Sequence, residues 1–517
     1  MGAWRGMVLL CSLALGCGGP LPEESDPEDE RSQAGSPSEL EEGEPSAMRR
    51  HPELGRARLI KDIFPPVDRP AWWGPSPESL VEFRERLYFA VNFEDGRKGL
   101  WKSDGTATGT VPVKEYAASA GDTSSGVLSE LTPLGSRLFF VVGDAPHGRE
   151  LWVSDGTTGG TRLVKDITAG SGDSHLFNLT ATRGSLLFFR FVPGTPPLPA
   201  RTELWRSNGT EASTVRVKDL GPESSLIFSQ TLVGDTLFFV LSDPDHGTEL
   251  WKSDGTEAGT ALVKDIIPGP DSAYPFNLTT VGRHVFFTAT EPTHGTEVWR
   301  TDGTEAGTVL VEDLMAGPGS VSPRLLGPIG SCLYVTTSDP ADRLMRLYRF
   351  KVDDSGSVRV RHVTTLPNRY AAEPDSDPYV TTFAVAGKKL FFDLNLASPG
   401  PTPRDAQLWV TDGTRSGTKM LHRPLSFYDE FGTQIYALDD RVLFTGAEGL
   451  SDLEPWISDG TVRGTRRLQD IAPGGAASFP GSFTRVGSRV FFIANDRVHG
   501  NELWAFPLRH PHPAAEE

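Results

Sequence analysis

The amino-acid sequence predicts an all-β fold: a single β-propeller of about nine four-stranded blades, with eight blades as the alternative. One phrase, ELWxSDGTxxGTxLVKDI, recurs along the chain every 46–61 residues. Each repeat also contains short runs rich in Phe, Val, Leu and Thr, separated by Gly, Asp and Pro, which is the pattern of short strands and tight turns. Four-stranded repeats of about this length are typical of propeller blades.

Each repeat contains four predicted strands, called a to d. FNLTTVG is an example of strand a, TLFFVL of strand b, ELWKSD of strand c and TALVKDI of strand d. All four are only four to eight residues long and rich in β-branched or aromatic residues, as strands in all-β proteins are.

A large aromatic residue occupies the same position of strand c in every repeat. It is tryptophan in eight repeats and tyrosine in one: Trp101, Trp152, Trp205, Trp251, Trp299, Tyr348, Trp409, Trp456 and Trp504. A large aromatic side chain repeated in this way is expected to pack between neighbouring blades. A ring of ligand-binding tryptophans is the alternative.

The Asp-Gly-Thr between strands c and d is interpreted as a tight turn. An Asp side chain can accept backbone N–H groups there, and Gly adopts positive φ without steric cost. The aspartates are Asp104, Asp155, Asp254, Asp302, Asp412 and Asp459. Calcium binding is the alternative, but each turn offers one carboxylate, whereas calcium takes six to eight oxygen ligands.

The two ends of the repeat array predict a closed ring. Residues 57–63, ARLIKDI, match strand d (TRLVKDI at 161–167), yet no strand a, b or c precedes them. The last repeat has strands a, b and c but no strand d. The N-terminal strand is therefore expected to complete the C-terminal blade, which makes eight complete units and a ninth assembled from both ends.

Composition restricts the partners. The 517 residues include 50 Lys and Arg against 68 Asp and Glu, a net charge of −18. Nucleic-acid binding needs a basic surface, and direct adhesion to anionic lipids needs a polybasic segment. We therefore expect no nucleic-acid partner, and membrane contact only through an attached lipid.

Sequence motifs of common enzymes are missing from the chain. Histidines recur before strand c, at His147, His246, His294 and His499. Each belongs to a different repeat, so the four are not expected to converge on one metal ion. The sequence thus predicts no metal site and no cofactor, with calcium left as a possibility, and it favours a non-enzymatic role.

The N-terminus has the features of an export signal. Residues 1–17 contain one Arg and a short apolar run, and they end in Ala-Leu-Gly-Cys, which is similar to the lipobox of bacterial lipoproteins. In that class of protein the cysteine, here Cys17, carries the lipid. Residues 18–50 are acidic and rich in Pro and Ser, and are predicted to be a disordered tether. The propeller then covers 51–508, and 509–517 is predicted to be a disordered tail.

The repeated phrase resembles the ELWxxDGT repeat family of bacterial secreted and surface proteins. ELWKSDGTEAGT and its variants carry the resemblance, which covers roughly residues 57–508. The resemblance implies export and a repeat architecture, and it implies no established activity or substrate.

Function is therefore sought where the repeat is interrupted, on the face that carries the b–c and d–a connections. Paired aromatics Trp72 and Trp73 precede the first blade, and Tyr370, Asp375 and Asp377 precede the seventh. These five are the candidate ligand-binding residues. We expect a monomeric, lipid-anchored or secreted module of the cell envelope that binds a protein or glycan. The alternatives are a glycosidase or polysaccharide lyase, and a structural envelope protein.

The lipid anchor is tested at Cys17. A Cys17→Ser variant cannot form the thioether to lipid, so the protein is expected to leave the membrane fraction and become soluble. Cell fractionation followed by immunoblotting measures this. Retention of the serine variant in the membrane fraction, at the level of the unmodified chain, would contradict the anchor.

Overall fold

A computed structural model describes residues 53–64, 75–118, 127–353, 355–373, 376–396, 405–425, 435–449 and 452–509. These residues belong to one compact unit, Arg50–Glu517. They form strands and turns and contain no helix, so the described part of the chain offers no helix able to cross a membrane. The predicted signal, tether and tail, except for Arg509, lie outside the described residues.

The strands group into nine antiparallel sheets, or blades, that follow one another along the chain. Blade 1 consists of β3 (Pro77–Phe83), β4 (Arg86–Asn92), β5 (Lys98–Ser103) and β6 (Val111–Tyr116), and blade 2 of β7 (Ser129–Leu134), β8 (Arg137–Asp144), β9 (Gly148–Ser154) and β10 (Arg162–Lys165). Blade 3 consists of β11 (Leu176–Ala181), β12 (Leu186–Val192), β13 (Arg201–Ser207) and β14 (Val215–Pro222), and blade 4 of β15 (Ser225–Val233), β16 (Thr236–Asp243), β17 (Gly247–Ser253) and β18 (Ala261–Lys264).

Blades 5 to 8 have the same plan. Blade 5 consists of β19 (Phe276–Val281), β20 (His284–Glu291), β21 (Gly295–Thr301) and β22 (Val309–Glu312), and blade 6 of β23 (Arg324–Ile329), β24 (Cys332–Asp339), β25 (Leu344–Val352) and β26 (Val358–Leu366). Blade 7 consists of β27 (Phe383–Ala386), β28 (Lys389–Leu396), β29 (Asp405–Thr411) and β30 (Lys419–His422), and blade 8 of β31 (Ile435–Leu438), β32 (Arg441–Gly446), β33 (Glu454–Ser458) and β34 (Arg466–Arg467).

Blade 9 is built from both ends of the body, as predicted. Its strands are β35 (Gly481–Val486), β36 (Arg489–Asn495), β37 (Asn501–Arg509) and, from the N-terminal side, β1 (Glu53–Leu54) and β2 (Arg58–Lys61). Strand β2 pairs with β37, with Leu59 opposite Trp504. The prediction of nine blades closed by the N-terminal strand is confirmed. The additional pairing of β1 with β37 was not predicted.

Strand a is the innermost strand of each blade, and strand d is the outermost. The a strands of successive blades contact one another, as β3 does with β7 and β7 with β11. Strand β35 of the last blade contacts β3 of the first, which closes the inner circle. Because the strands alternate in direction, the b–c and d–a connections lie on one face of the ring, called the insertion face.

Nine hydrophobic clusters of the described residues lie between adjacent blades, one for each pair. A small tenth cluster consists of Ala447, Leu453 and Ala477. At the closing seam, Ile60 and Leu503 of blade 9 pack against Phe89 and Trp101 of blade 1. Apolar burial is the main favourable contribution to folding. Each blade is therefore stabilised by its two neighbours, and an open array would leave two apolar faces exposed.

Deletion of residues 48–63 tests the closure. It removes β1 and β2 together with the buried side chains of Ala57, Ile60 and Ile63. Since each buried aliphatic side chain contributes about 1.5–3 kcal/mol, we expect the melting temperature to fall by at least ~5 °C. Differential scanning calorimetry measures the change. A chain lacking residues 18–47 is the control and should melt like the full chain. An equal melting temperature for both deletions is incompatible with a ring closed by β2.

Candidate functional site

The candidate residues singled out from the insertions are only partly described. Cys17, Trp72, Trp73 and Asp375 lie outside the described residues. Tyr370 and Asp377 belong to the connection between β26 and β27, in which Ser376 Oγ donates to the carbonyl oxygen of Tyr370 (2.7 Å). The Tyr370 ring packs against the cluster between blades 6 and 7, with the Arg369 guanidinium 4.7 Å from the ring centroid. Asp377 is exposed.

The repeated aromatic residue of strand c occupies the same structural position in all nine blades. In each blade it lies in the hydrophobic cluster shared with the preceding blade. The residues are Trp101, Trp152, Trp205, Trp251, Trp299, Tyr348, Trp409, Trp456 and Trp504. The most exposed of the buried members is only 8% accessible. Trp205, Trp251 and Tyr348 are partly buried. All nine rings therefore pack against the neighbouring blade.

The Asp-Gly-Thr turn is a closed hydrogen-bond network, here described in blade 4. Asp254 Oδ1 accepts the backbone N–H of Thr256 (2.8 Å) and its hydroxyl (2.7 Å). Gly255 has φ +83°. A Cβ on Gly259 would lie 2.1 Å from Asp254 Oδ1, which explains the second glycine of the phrase. The hydrogen bonds from Thr256 lower the pKa of Asp254, so this carboxylate is ionised and engaged inside its own turn.

The equivalent carboxylates of five further blades make the same hydrogen bonds. These are Asp104, Asp155, Asp302, Asp412 and Asp459. Within the described ranges, no group of three or more His, Cys, Asp or Glu side chains is arranged to hold a metal ion. The turns thus act as local structural elements in the geometry observed.

Each of the four repeated histidines pairs with a carboxylate of its own b–c hairpin. Each ring Nδ1 lies within hydrogen-bond distance of a carboxylate three residues earlier, for example 2.9 Å between His147 and Asp144. The other pairs are His246 with Asp243, His294 with Glu291 and His499 with Asp496. These pairs shape the b–c hairpins of four different blades.

The glutamate of the repeated phrase has a role that sequence reasoning missed. It lies two residues before the tryptophan and is at most 2% exposed at Glu150, Glu203, Glu249, Glu297, Glu454 and Glu502. In most of these blades its carboxyl group accepts backbone N–H groups from the connection that leaves strand d. Glu454 binds the N–H of Ile471 (2.9 Å) and of Ala472 (3.0 Å). The connections between blades are thereby fixed from inside the fold.

At the closing seam this glutamate holds the N-terminal segment. Glu502 Oε1 accepts the N–H groups of Ile63 (2.9 Å) and Phe64 (2.7 Å). Burial raises the pKa of Glu502 to about 7, and nearby Asp62 acts in the same direction. The last buried glutamate of the repeated phrase therefore binds the segment that follows β2, the first strand d along the chain.

Blades 3 and 7 depart from this pattern. Glu203 accepts the indole N–H of Trp205 (2.9 Å) and pairs with Arg216 (2.9 Å) and Arg190 (3.4 Å). Burial alone would raise its pKa, but these hydrogen bonds and charges lower it. Gln407 replaces the glutamate in blade 7 and accepts the indole N–H of Trp409 (2.9 Å). A neutral amide is thus compatible with this position.

The innermost strands carry a second shared feature, a β-bulge near their starts. The register shifts in β3, β7, β11, β15, β19, β23 and β35. In five of these strands the bulge residue is a non-glycine with positive φ: Ser79, Glu130, Asn178, Asn277 and Ser482. A bulge turns side chains out of the regular alternation. Here it lies at the centre of the ring, where the blades converge.

A pocket of about 410 Å³ opens among the innermost strands of blades 3 to 7. It is called the central pocket and is defined by Asn178, Gln230, Phe276, Asn277, Arg324 and Phe383. Phe276, Arg324 and Phe383 are the first residues of β19, β23 and β27. Because d–a connections lead into these starts, the pocket lies toward the insertion face.

Arg324 is the charged residue among the side chains that line the central pocket. Its Nη1 donates to Asn277 Oδ1, and its Nη2 donates to the carbonyl oxygen of Thr381 (3.4 Å). No carboxylate of the described residues lies within 4.0 Å of it. Burial lowers the pKa of Arg324, while Asp393 acts in the opposite direction. The guanidinium group is partly desolvated, and no described carboxylate forms an ion pair with it.

Asp393 lies behind Arg324 and is only 1% exposed. Its carboxyl group accepts the backbone N–H groups of Thr381 and Thr382 (both 2.9 Å), the Thr381 hydroxyl and the Asn395 amide (2.6 Å). Burial raises the pKa of Asp393, although these hydrogen bonds oppose the shift. With its oxygens so engaged, Asp393 positions the segment that meets Arg324 and does not face the pocket.

Exposed apolar side chains concentrate on the insertion face. Among the described residues, eight large hydrophobic side chains are exposed, and six of them lie there: Val127, Phe191, Leu198, Tyr274, Phe276 and Val498. Tyr274 is 65% exposed and Phe276 is 48% exposed. Phe276 also lines the central pocket, so an aromatic surface leads from the rim into it.

The central pocket was not predicted from the sequence, although one signal was available. Pro323-Arg324 stands where the preceding blade has Pro275-Phe276, so a basic residue replaces an apolar one, whereas blade 1 has the acidic Glu78 at the equivalent place. The other lining residues, such as Asn178 and Asn277, are shared between repeats and carry no such signal. Their convergence becomes visible only when the ring is closed.

Comparisons with known proteins add little to this geometry. No family model and no curated protein matches the chain. Solved structures that it resembles include one of two prolyl endopeptidases (12% identity, TM-score 0.39, 74% of this chain and 54% of that one). Another is the β-propeller domain of the Trilobed protease from Pyrococcus furiosus (14% identity, TM-score 0.35, 77% of this chain and 99% of that one). A third is the acylaminoacyl peptidase of Pyrococcus horikoshii (12% identity, TM-score 0.33, 72% of this chain and 59% of that one). The chain spans about half the length of the prolyl endopeptidase.

The buried glutamates predict a pH-dependent stability. Burial raises the pKa of Glu249 and of Glu297 from 4.5 to about 7. Because the folded-state pKa is the higher one, the stabilisation of the protonated form is complete below about pH 4.5 and is lost as the pH rises through about 7. We expect the melting temperature to fall between pH 5.5 and pH 8. The double variant Glu249→Gln, Glu297→Gln should flatten this slope.

Glu203→Gln is the matched control for this experiment, because arginines and an indole lower the pKa of Glu203. Its stabilisation is present above the unfolded-state pKa, so the substitution should lower the melting temperature at pH 8 and leave the slope between pH 5.5 and 8 unchanged. Equal slopes for the double variant and the unmodified protein would show that these glutamates do not take up protons on folding.

Proposed function

We propose that this chain is an exported, lipid-anchored binding module of the bacterial cell envelope, and that its protein or glycan ligand is bound in the central pocket. The observation that carries the proposal is the break in the repeat at the centre of the ring. Most blades contribute the same structural residues, whereas the pocket gathers a partly desolvated arginine, three amides and two aromatic rings from blades 3 to 7.

The composition of the pocket supports binding in preference to hydrolysis. Its described lining consists of Asn178, Ser229, Gln230, Phe276, Asn277, Leu278, Thr279, Arg324, Leu325 and Phe383. Glycoside hydrolysis usually requires a pair of carboxyl groups at the scissile bond, and this lining contributes none. Amides, a guanidinium group and aromatic faces are the groups that orient a bound ligand.

The N-terminal sequence supports a location at the envelope. Residues 1–17 have the composition of a lipoprotein signal, and the acidic residues 18–50 separate Cys17 from the propeller. With a lipid at Cys17, the chain would be attached to a membrane of the envelope through its N-terminal residues. A module that is tethered at one end and carries a pocket on one face is suited to capture.

The proposal is tested with the ring itself, residues 48–517, against a glycan array and against proteins of the envelope. Phe276→Ala and Gln230→Ala remove an aromatic face and an amide from the pocket, so each is expected to weaken the bound ligand about tenfold or more. Surface plasmon resonance measures the affinities, and calorimetry checks that both variants stay folded.

Met420→Ala and Val462→Ala are the matched controls, because both side chains are exposed (38% and 62%) and lie away from the pocket. These controls should retain full affinity. If ligands found in the screen bind both pocket variants as well as the unmodified ring, the central pocket is not the binding site.

A further inference from the structure

The arginine of the central pocket has an incompletely compensated charge. Arg324 uses one N–H of Nη1 for Asn277 and one of Nη2 for Thr381, so each of these nitrogens keeps a second N–H. Its Nε is buried and has no hydrogen-bond partner among the described residues. The nearest acidic influence, Asp393, is engaged with Thr381, Thr382 and Asn395 and lies beyond ion-pair distance. A guanidinium group in this setting favours an anionic partner.

The low local dielectric strengthens the attraction between Arg324 and an anion. Arg324 is partly buried, and burial already disfavours its charged form. An anion placed against a partly desolvated cation is screened less than it would be at an open surface. The pocket is therefore expected to discriminate strongly between a charged ligand and its neutral counterpart.

Side-chain amides surround the arginine on the inner strands. Asn277 accepts from Arg324, and Gln230 Nε2 donates to Thr180 Oγ1 (3.0 Å). Each amide offers both donors and an acceptor, and part of this capacity remains free. Vicinal hydroxyl groups of a sugar ring donate and accept in the same way, so they match this lining better than an aliphatic anion does.

Aromatic rings supply the remaining surface. Phe276 is 48% exposed and lines the pocket, and Phe383 lines it from blade 7. Tyr274, 65% exposed, lies two residues before Phe276 at the rim. The apolar C–H faces of a sugar ring pack on such aromatic surfaces. The volume of about 410 Å³ falls in the range of small-ligand pockets, about 300–1,000 Å³.

From these observations we infer that the central pocket binds a uronic acid residue of an acidic saccharide, with the sugar carboxylate on the Nη atoms of Arg324. This inference rests on the proposed binding function and names its ligand class. A peptide is the less favoured ligand. Each strand a ends its sheet and leaves one edge unpaired, but the amides and aromatic rings of the lining match the hydroxyl groups and C–H faces of a sugar ring.

The net charge of the chain restricts the ligand further. With a formal charge of −18 the protein repels a densely charged polyanion at long range. A single carboxylate inserted beside Arg324 experiences the local positive charge instead. We therefore expect a saccharide that is acidic at one ring and neutral or sparsely charged elsewhere.

The test uses matched pairs of short oligosaccharides that end in galacturonate, glucuronate or mannuronate, each beside the same oligosaccharide with its carboxyl groups methyl-esterified. Isothermal titration calorimetry with residues 48–517 is expected to show at least one acid that binds about 10- to 100-fold more tightly than its ester. Arg324→Ala should abolish this preference, and Arg324→Lys should retain part of it. Arg415→Ala, in an exposed c–d turn of blade 7, is the control and should change nothing.

Three results would overturn the inference. The acids and their esters bind equally, no uronate binds at 10 mM, or a sulfated oligosaccharide or acidic peptide depends on Arg324 while no uronate does. The proposed function is judged separately. If a neutral glycan or a protein binds and loses affinity in Gln230→Ala but not in Arg324→Ala, the pocket is a binding site and only the uronate assignment fails.

Discussion

The pairing of β2 with β37 is the contact on which the rest of the structure depends. Every other blade is made from consecutive strands, whereas the ninth joins residues more than 400 positions apart through hydrogen bonds and packing alone. Leu59 lies opposite Trp504, and Glu502 binds the amides of Ile63 and Phe64. With this seam closed, all nine interblade clusters are buried and the innermost strands converge. Without it, the first and last blades would each expose an apolar face, and the central pocket would lose its frame.

The residues of the repeated phrase stabilise the fold, whereas the residues of the central pocket are available to a ligand. Tryptophan fills the space between blades, the Asp-Gly-Thr turn closes on itself, and the buried glutamate fixes the connection to the next blade. These residues are engaged within the fold, so they leave few groups for a partner. Arg324 differs from these residues. It replaces an apolar residue of the neighbouring repeat, is partly buried and has no ion pair with a carboxylate in the part of the chain that the structure describes. A structural role would be better served by a leucine or phenylalanine, which is why its position points to a ligand.

Local sequence patterns were sufficient to predict the architecture, because strand, turn and blade are each encoded within about 50 residues. The nine blades and the terminal closure followed from the repeat and from the unmatched ARLIKDI segment. The role of Glu150 or Glu454 was not predictable, since its partners lie 17 to 24 positions further on, in connections of variable sequence. The central pocket escaped prediction because its lining is assembled from five blades, each of which supplies between one and four residues. Tyr370, a candidate ligand-binding residue, is partly buried against the cluster between blades 6 and 7.

Amide hydrogen exchange at the seam tests the closed ring most directly. The amides of Ile63 and Phe64, which donate to Glu502, and the amides of β2 that pair with β37 should exchange as slowly as those of β36, an interior strand of the same blade. That result would show that the N-terminal strand is a permanent part of blade 9. Exchange of the β2, Ile63 and Phe64 amides at the rate of exposed turns, with β36 still protected, would contradict the closed ring and the pocket that depends on it.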